Sequence, residues 1–428
     1  ILQKYNSDST ISEFAPHGAV TAKINTDSEK INDLFSDRVR VIPILDDENK
    51  VVDLAVFDSR VHLPVAEPFF DHTELKYVID CVSSGWISSA GKYTSIFEKK
   101  FADFCETKYA LSCTNGTCAL HLALKSVDIG PGDEVIVPTL TFISTASMVT
   151  LTGAKPVFVD SEIETWGLDP NLVEKAITDR TRAIIPVHLY GHPARMNKIM
   201  DIAKRHNLIV IEDAAEAHGS KYQNIKVGSL GDIGIFSFYG NKVVTTGEGG
   251  MVVTNNNEIA NKLMMLRDHG MDRSRGYWHP ILGYNYRMTN LQAAIGTAQM
   301  EKIELILNKK NIIATIYECN LKNITGLTLP KEAPWATNIY WLYTVLINES
   351  KTGVTRDELI KKLKLDKIDT RPVFTPLHLQ PVYNLDQKFP IAEKIANQGF
   401  SLPSYVNLNE EDIERICEAI KTIILINN

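Results

Sequence analysis

In the stretch FSFYGNKVVTTGEGG, Phe236 to Gly250, a single lysine, Lys242, stands in a run of small, apolar and hydroxyl residues. Apolar surroundings disfavour the charged ammonium, lower the amine's pKa and make it available as a nucleophile toward a carbonyl. In VIEDAAEAHGS, Asp213 follows the apolar run LIVIE, where a carboxylate is suited to pair with a buried heteroaromatic N–H⁺ such as a pyridinium. In CTNGTCALHLAL, an Asn-Gly turn opens a helix. Gly116, Thr117 and Cys118 thus present backbone amides and a hydroxyl at a helix N-terminus, which suits a phosphate. Taken singly, each feature also has an ordinary structural reading: Lys242 as a snorkelling surface lysine, Asp213 as a helix N-cap, the Asn-Gly turn as a capped β-α connection. Together, a carbonyl-binding amine, a pyridine-nitrogen partner and a phosphate cup are what pyridoxal 5′-phosphate (PLP) requires. Ser237 adds a hydroxyl toward the phosphate, and Phe142, in VPTLTFISTA, is an aromatic placed either to cover the ring or to pack in the core.

These residues need a frame that brings strand ends together. From about Lys108 to Asn255 seven short apolar runs recur: KYALSC, EVIVPT, KPVFVD, AIIPVHL, LIVIED, IGIFSF and GMVVTN. Helical stretches such as TCALHLALKSV, NLVEKAITDR and MNKIMDIAKRHN separate most of them. The alternation predicts an α/β fold with a seven-stranded, mostly parallel sheet covered on both faces, and ligands at the carboxyl ends of its strands. From Asn290 one long helical stretch, NLQAAIGTAQMEKIELILNKKNIIATIYECNL, leads into a smaller α+β region. Its final helix places Ile413, Ile416, Cys417 and Ile420 on one face. The first sixty residues read separately, as a short helix in NTDSEKINDLF followed by strand, acidic turn and strand in RVIPILDDENKVVDLAVFD. The expected divisions are 1–60, a proline-containing linker 61–70, a large domain 71–305 and a small domain 306–428.

With 428 residues, 44% hydrophobic and 23% charged, the chain is long enough for a substantial core. A net charge of -7 without a basic cluster argues against nucleic acid and anionic membrane as partners. Six cysteines without ligand spacing argue against a zinc site or disulfide framework, so no metal and a reducing, cytoplasmic compartment are expected. The start, ILQKYNSDSTISEF, lacks the basic head and apolar core of a signal peptide, and Ile1 in place of methionine is expected of a fragment or a processed chain.

Residues from about Leu63 to Leu425 resemble the DegT/StrS family of PLP-dependent sugar-nucleotide aminotransferases. The resemblance is carried in order by GWISSAGKYTSIFEKKFADFC, NGTCALHLAL, GDEVIVPTLTF, PVFVD, PVHLYG, VIEDAAEAHGS, GSLGDIGIFSFYGNKVVTTGEGGM, LGYNYRMTNLQAAIG and DTRPVFTPLH. It implies the aspartate aminotransferase-like fold type I, with Lys242 as the lysine that binds the PLP aldehyde, Asp213 at the pyridine nitrogen and Glu216 beside the ring hydroxyl, where many members have Gln. It further implies a phosphate cup of Gly116, Thr117 and Ser237, completed by Asn285 from a neighbouring subunit, hence a homodimer with shared sites. Members that dehydrate at C3 have histidine at the position of Lys242, so the lysine favours transamination.

The substrates so implied are L-glutamate and a nucleotide-linked 4-keto-6-deoxy sugar. The substrate-side segments GWISSAGKY, with Ser88, and DTRPVFTPLH, with Arg371 and His378, are most similar to the branch acting on GDP-linked 4-keto-6-deoxymannose. Arg371 offers a fork suited to a pyrophosphate and His378 a bond to a sugar hydroxyl, or else an ion pair and a turn cap. A UDP- or dTDP-linked 4-keto sugar is the alternative. The N-terminal segment resembles a single CBS motif that departs from the ligand-binding pattern near Asp53 and Val56, and since such motifs normally work in pairs, an interaction or vestigial role stands beside nucleotide binding as an alternative. Two rival classes are a dinucleotide oxidoreductase and a non-catalytic PLP-binding or CBS-type regulator. The glycines of TTGEGGMVV precede another strand where a dinucleotide loop requires a helix.

Overall fold

The computed structural model describes residues 20–27, 30–31, 34, 39, 41–56 and 63–427. The chain divides into two units, Ile1–His62 and Leu63–Asn428. In the first unit β1 (Ala22–Lys23), β2 (Val41–Leu45) and β3 (Val51–Val56) form one sheet, with β1 parallel and β3 antiparallel to β2. The acidic turn closes because Asp46 Oδ1 accepts the amides of Glu48 at 2.9 Å and Lys50 at 2.8 Å. Strand alternation turns Ile42 and Ile44 inward onto Ala22. Of the helix expected in NTDSEKINDLF, Lys30 and Ile31 are helical, with the Ile31 amide donating to Asp27 O at 3.0 Å, while its other positions are only partly described and much of the segment 1–60 expected to be CBS-like lies outside the described residues.

In the second unit six of the seven apolar runs become β4 (Tyr109–Cys113), β5 (Glu134–Pro138), β6 (Lys155–Val159), β8 (Ile209–Asp213), β11 (Ile233–Ser237) and β12 (Gly250–Thr254), whereas β7 (Thr181–Ile184) starts earlier than the run AIIPVHL and takes only its Ala183 and Ile184. A hairpin of β9 (Lys221–Tyr222) and β10 (Ile225–Lys226) lies apart and pairs with β14 (Ala336–Thr337). The sheet order is β4-β12-β11-β8-β7-β5-β6, parallel except for β12, which runs against both neighbours. Every residue of β5, β11 and β12 is buried, as continuous apolar runs covered on two faces require.

The smaller region has its own four-stranded sheet, in the order β13 (Leu327–Thr328), β15 (Tyr343–Ile347), β17 (Gly399–Leu402), β16 (Arg371–Pro372). It packs with the helices Ile303–Leu321, Arg356–Leu365 and Glu410–Asn427 around a core that includes the stripe Ile413, Ile416, Cys417 and Ile420. The single long helix expected from Asn290 is instead two, Asn290–Glu301 and Ile303–Leu321. The break falls at Lys302, whose ammonium pairs with Asp71 at 3.1 Å and Glu74 at 2.7 Å near the start of helix His72–Ser84. The expected linker 61–70 is also not free chain where it is described. The amide of Leu63 donates to Lys367 O at 3.1 Å, its carbonyl accepts from Asp369 at 2.9 Å, and Val65 O accepts the Ser404 amide at 3.0 Å. The apolar side chains of Leu63 and Val65 are buried, which docks this segment on the C-terminal region.

Candidate active site

A cavity of about 440 Å³ opens at the carboxyl ends of the parallel strands. Asp213 and Ser237 are the last residues of β8 and β11, Thr141–Thr145 follow β5, and Val187 to Tyr190 follow β7. Lys242 hangs in the loop between β11 and β12. Because β12 is antiparallel, its first residue, Gly250, reaches the same end of the sheet beside Cys113 and Ser237. A Cβ on Gly250 would stand 2.4 Å from the carbonyl carbon of Asn115, so only glycine lets the two chains pass so closely.

Asp213 is buried and held by two donors, with Thr145 Oγ1 at 2.8 Å from Oδ2 and the Ala215 amide at 3.2 Å from Oδ1. Burial pushes its carboxyl above the ordinary range, against these donors and Lys242, which favour the charged form. Among the described residues no cationic side chain lies within ion-pair distance of this carboxylate, Lys242 included. The neighbouring Glu212 serves a different purpose. It accepts the amides of Gly228, Leu230 and Gly231 at 2.7–2.8 Å and faces His188 Nε2 at 3.0 Å, fixing the loop that feeds β11 and hence Ser237.

Burial likewise pushes the Lys242 amine down, while Glu216 and Asp213 pull it back up and Arg371 adds to the fall. Its Nζ is 3.8 Å from Glu216 Oε1 and 3.6 Å from the ring centroid of Trp341. Glu216 Oε2 accepts the amide of Tyr190, at 2.8 Å, and burial raises its carboxyl to about 7. Tyr190 adopts a left-handed backbone (φ 52°), which turns that amide inward. Its ring is stacked between Trp341, at 6.0 Å, and Phe374, at 5.5 Å. The result is a half-apolar chamber in which a weakly solvated amine faces two carboxylates.

At the other end of the cavity the helix Gly116–Ser126 points its N-terminus inward, capped by Asn115, whose side chain accepts the Cys118 amide at 2.9 Å. Thr117 Oγ1 and Ser144 Oγ lie 2.9 Å apart, and Ser237 stands against Gly116, where a Cβ would meet the serine Cβ at 2.7 Å. Backbone N–H groups, a helix dipole and three hydroxyls thus converge on one spot.

Of the residues singled out in the sequence, Gly116, Thr117, Phe142, Asp213, Glu216, Ser237, Lys242 and Arg371 all line this cavity. Phe142 sits at the mouth, about half exposed, with its ring edge-on to Phe374. Cys118 lies one residue deeper in the helix, bonded to the cap. Ser88 and Asn285 are exposed and line no part of it, yet their segments meet at Asn290. The Asn290 amide donates to Ser88 O at 2.6 Å, and its side chain donates to Trp86 O, also at 2.6 Å. His378 is fully buried away from the cavity, with Nδ1 2.7 Å from Thr139 Oγ1 and Nε2 3.3 Å from Glu393 Oε1. It supports the chain that carries Phe374 and does not face the cavity as a sugar contact would. Thr145, Tyr190, Trp341 and Phe374 escaped the sequence reading. The pairing of Thr145 with Asp213 had no local signal, whereas Tyr190 lies in the quoted motif PVHLYG and was within reach.

The residues present fit PLP. An amine of lowered basicity, a buried carboxylate short of a cationic partner and an anion-binding helix end share one cavity of suitable size, and the close approach of Ser237 needs glycine at position 116. Among the described residues no cluster of His, Cys, Asp or Glu is arranged to hold a metal ion, all six cysteines are unpaired, and no helix is long and apolar enough to cross a membrane.

Residues 68–421 match the profile of the DegT/DnrJ/EryC1/StrS aminotransferase family. The chain is 48% identical over 366 residues to a GDP-perosamine synthase of Caulobacter vibrioides, covering 85% of this chain and 98% of that protein. It is 46% identical over 360 residues to a GDP-perosamine synthase of Escherichia coli O157:H7, covering 84% and 98%. Its fold is similar to that of a Helicobacter pylori aminotransferase involved in the biosynthesis of pseudoaminic acid, with a TM-score of 0.81 at 27% identity, over 85% of this chain and 99% of that one. With the lysine, the carboxylate and the anion cup in place across the matched span, the chain is a PLP-dependent enzyme and belongs to the DegT/DnrJ/EryC1/StrS aminotransferase family.

Proposed function

We propose that the enzyme moves the amino group of L-glutamate to C4 of GDP-linked 4-keto-6-deoxymannose, releasing 2-oxoglutarate and GDP-perosamine for a surface polysaccharide. The observation that carries this reading is the near-complete overlap, at 46–48% identity, with two relatives named for that product. PLP, when bound, supplies the carbonyl that carries the amino group between the two substrates and a ring that accepts electron density. The chain's own residues do the rest. The Lys242 amine, desolvated and beside Glu216, takes the proton from the donor's α-carbon and returns one to C4 of the sugar. Asp213, fixed by Thr145, holds the positive charge of the ring nitrogen. The N-terminus of helix Gly116–Ser126 with Thr117 and Ser237 orients the phosphate, and Arg371, on the rim contributed by β16, faces the sugar's pyrophosphate.

The working form in this proposal is a homodimer in the cytoplasm, where unpaired thiols persist. Asn285 and Ser88 are exposed on adjoining segments and so are available to a second subunit's site. The apolar side chains Leu75, Ile79 and Val82, exposed on one helix, and the neighbouring Trp86 supply a surface for the pairing.

The test is relative kcat/KM, with glutamate as donor, on GDP-, UDP- and dTDP-linked 4-keto-6-deoxy sugars. A GDP preference is expected. A preference of more than about tenfold, or about 1.4 kcal/mol, for either other nucleotide overturns the substrate choice and leaves the transaminase intact.

A further inference from the structure

Helix Ile303–Leu321 sends two polar side chains, two turns apart, into the seam between the large and small sheets. Tyr317 Oη donates to Pro403 O at 2.8 Å, and Lys310 Nζ donates to Trp341 O at 2.9 Å and to Ser404 O. Lys310 is only 4% exposed, and burial pushes its amine down to about 7. Both of its acceptors are backbone carbonyls, which the neutral amine, with two N–H donors, satisfies as fully as the ammonium does. Desolvation alone would favour an apolar side chain of this volume. What the amine supplies is the pair of bonds.

One of those bonds ends on a residue that touches the site. Trp341 is held at its carbonyl by Lys310 and at its indole N–H by Asn241 O, at 2.7 Å, and its ring lies over Lys242 Nζ. Two effects of that ring on Lys242 oppose each other. Its π face attracts the ammonium by about 0.5–2 kcal/mol, whereas excluding water depresses a buried amine by up to about 3–5 pKa units. Burial is the leading cause of the fall in Lys242 basicity, and the indole is the aromatic face that covers Nζ, at 3.6 Å.

We propose that Lys310 is a positioning residue for transamination: by pinning the Trp341 carbonyl it keeps the indole over Lys242 and so maintains the desolvation that makes that amine reactive. The proposal rests on Lys242 being the reacting amine. Among the described residues the other titratable groups facing Lys242 are Glu216, Asp213, Arg371 and the buried His218, none of which is hydrogen-bonded to Lys310.

The test is the pH dependence of Lys242 acetylation by acetic anhydride in the full chain after hydroxylamine has released PLP as its oxime and dialysis has removed it, read by peptide mass. Lys310→Met should slow Lys242 labelling at neutral pH about tenfold, the equivalent of one unit of pKa. Trp341→Ala should do the same, with no further loss in the double variant. Tyr317→Phe, which breaks the adjacent bond to Pro403 and leaves Trp341 alone, should leave labelling unchanged. In the holoenzyme, Lys310→Met should move the acid limb of the kcat profile upward and leave KM for the sugar unchanged. Unaltered Lys242 labelling in Lys310→Met, or an equal loss in Tyr317→Phe, overturns the proposal. If Lys310→Met does not fold, Lys310→Leu, which is smaller and likewise carries no donor, takes its place with the same expected result, and failure of both assigns Lys310 a purely structural role and overturns the proposal. Labelling reads the amine directly, so activity surviving in Lys242→Ala would refute the functional reading separately.

Discussion

Lys242 Nζ and Glu216 Oε1 face each other at 3.8 Å, the lysine side chain 11% exposed and the glutamate 5%, while the second oxygen of Glu216 is occupied by the Tyr190 amide. The distance is long for an ion pair, and the net balance at each group is set by lost solvation: the amine falls and the carboxyl rises. Glu216 ionises near 4.5 when unfolded and near 7 when folded. A raised acid contributes stability that is complete below the unfolded value and is lost as pH rises to the folded value. Glu216→Gln cannot ionise, so its stability relative to wild type should increase between about pH 4.5 and 7, by on the order of 1–3 kcal/mol, and then level off. Urea midpoints at pH 4.5 and 8 check this, and an equal difference at both would show that Glu216 does not titrate as its burial dictates.

Lys242→Ala should fold and retain PLP, because the anion cup and Asp213 are untouched. Turnover should fall by at least about 10²–10⁴-fold, the range for loss of a positioned acid-base group. Borohydride should no longer fix the cofactor to the chain. Mixing this variant with Asn285→Ala should restore a fraction of active sites if Asn285 serves the other subunit. Absence of recovery after verified subunit exchange counts against a shared site.

Asp213→Asn should lower kcat by about 10²–10³-fold, on the scale of losing one oriented electrostatic partner, with the fold intact. Thr145→Val removes the shorter of the two donors to that carboxylate and leaves a buried acceptor, at a cost of about 1–3 kcal/mol. Its kcat should lie between those of wild type and Asp213→Asn. A Thr145→Val enzyme with wild-type kcat would mean that the Ala215 amide alone suffices to orient the carboxylate.

Removing residues 1–62 should leave kcat/KM within about twofold and the thermal midpoint of the remaining unit unchanged, since every residue lining the cavity lies at or beyond Asn115 and the second unit begins at Leu63. Deletion that extends through Val65 should lower the midpoint, because Leu63 and Val65 are buried and bonded to residues 367–369 and 404. A folded but inactive 63–428 protein would show that the first unit contributes to the site.

The sequence by itself determined the chemistry of the site wherever a residue's role follows from its own strand or turn. Lys242 in its apolar loop, Asp213 and Ser237 at strand ends and Gly116 and Thr117 at a helix start were all legible. Local periodicity and turn chemistry dictate where strands end, and in a parallel sheet those ends lie together. The seven apolar runs were legible for the same reason. Only the tertiary structure decided the partners that arrive from elsewhere. Trp341 and Phe374 reach the cavity from the smaller region, Thr145 bonds Asp213 from the far side of β7, and Lys310 acts through a carbonyl. His378, equally polar and in an equally suggestive motif, is instead packed against Thr139 and Glu393. Side-chain type shows what a residue can bond, but the bond it makes depends on which backbone passes within 3 Å. Packing between distant segments sets that distance, and no periodicity along the chain encodes it.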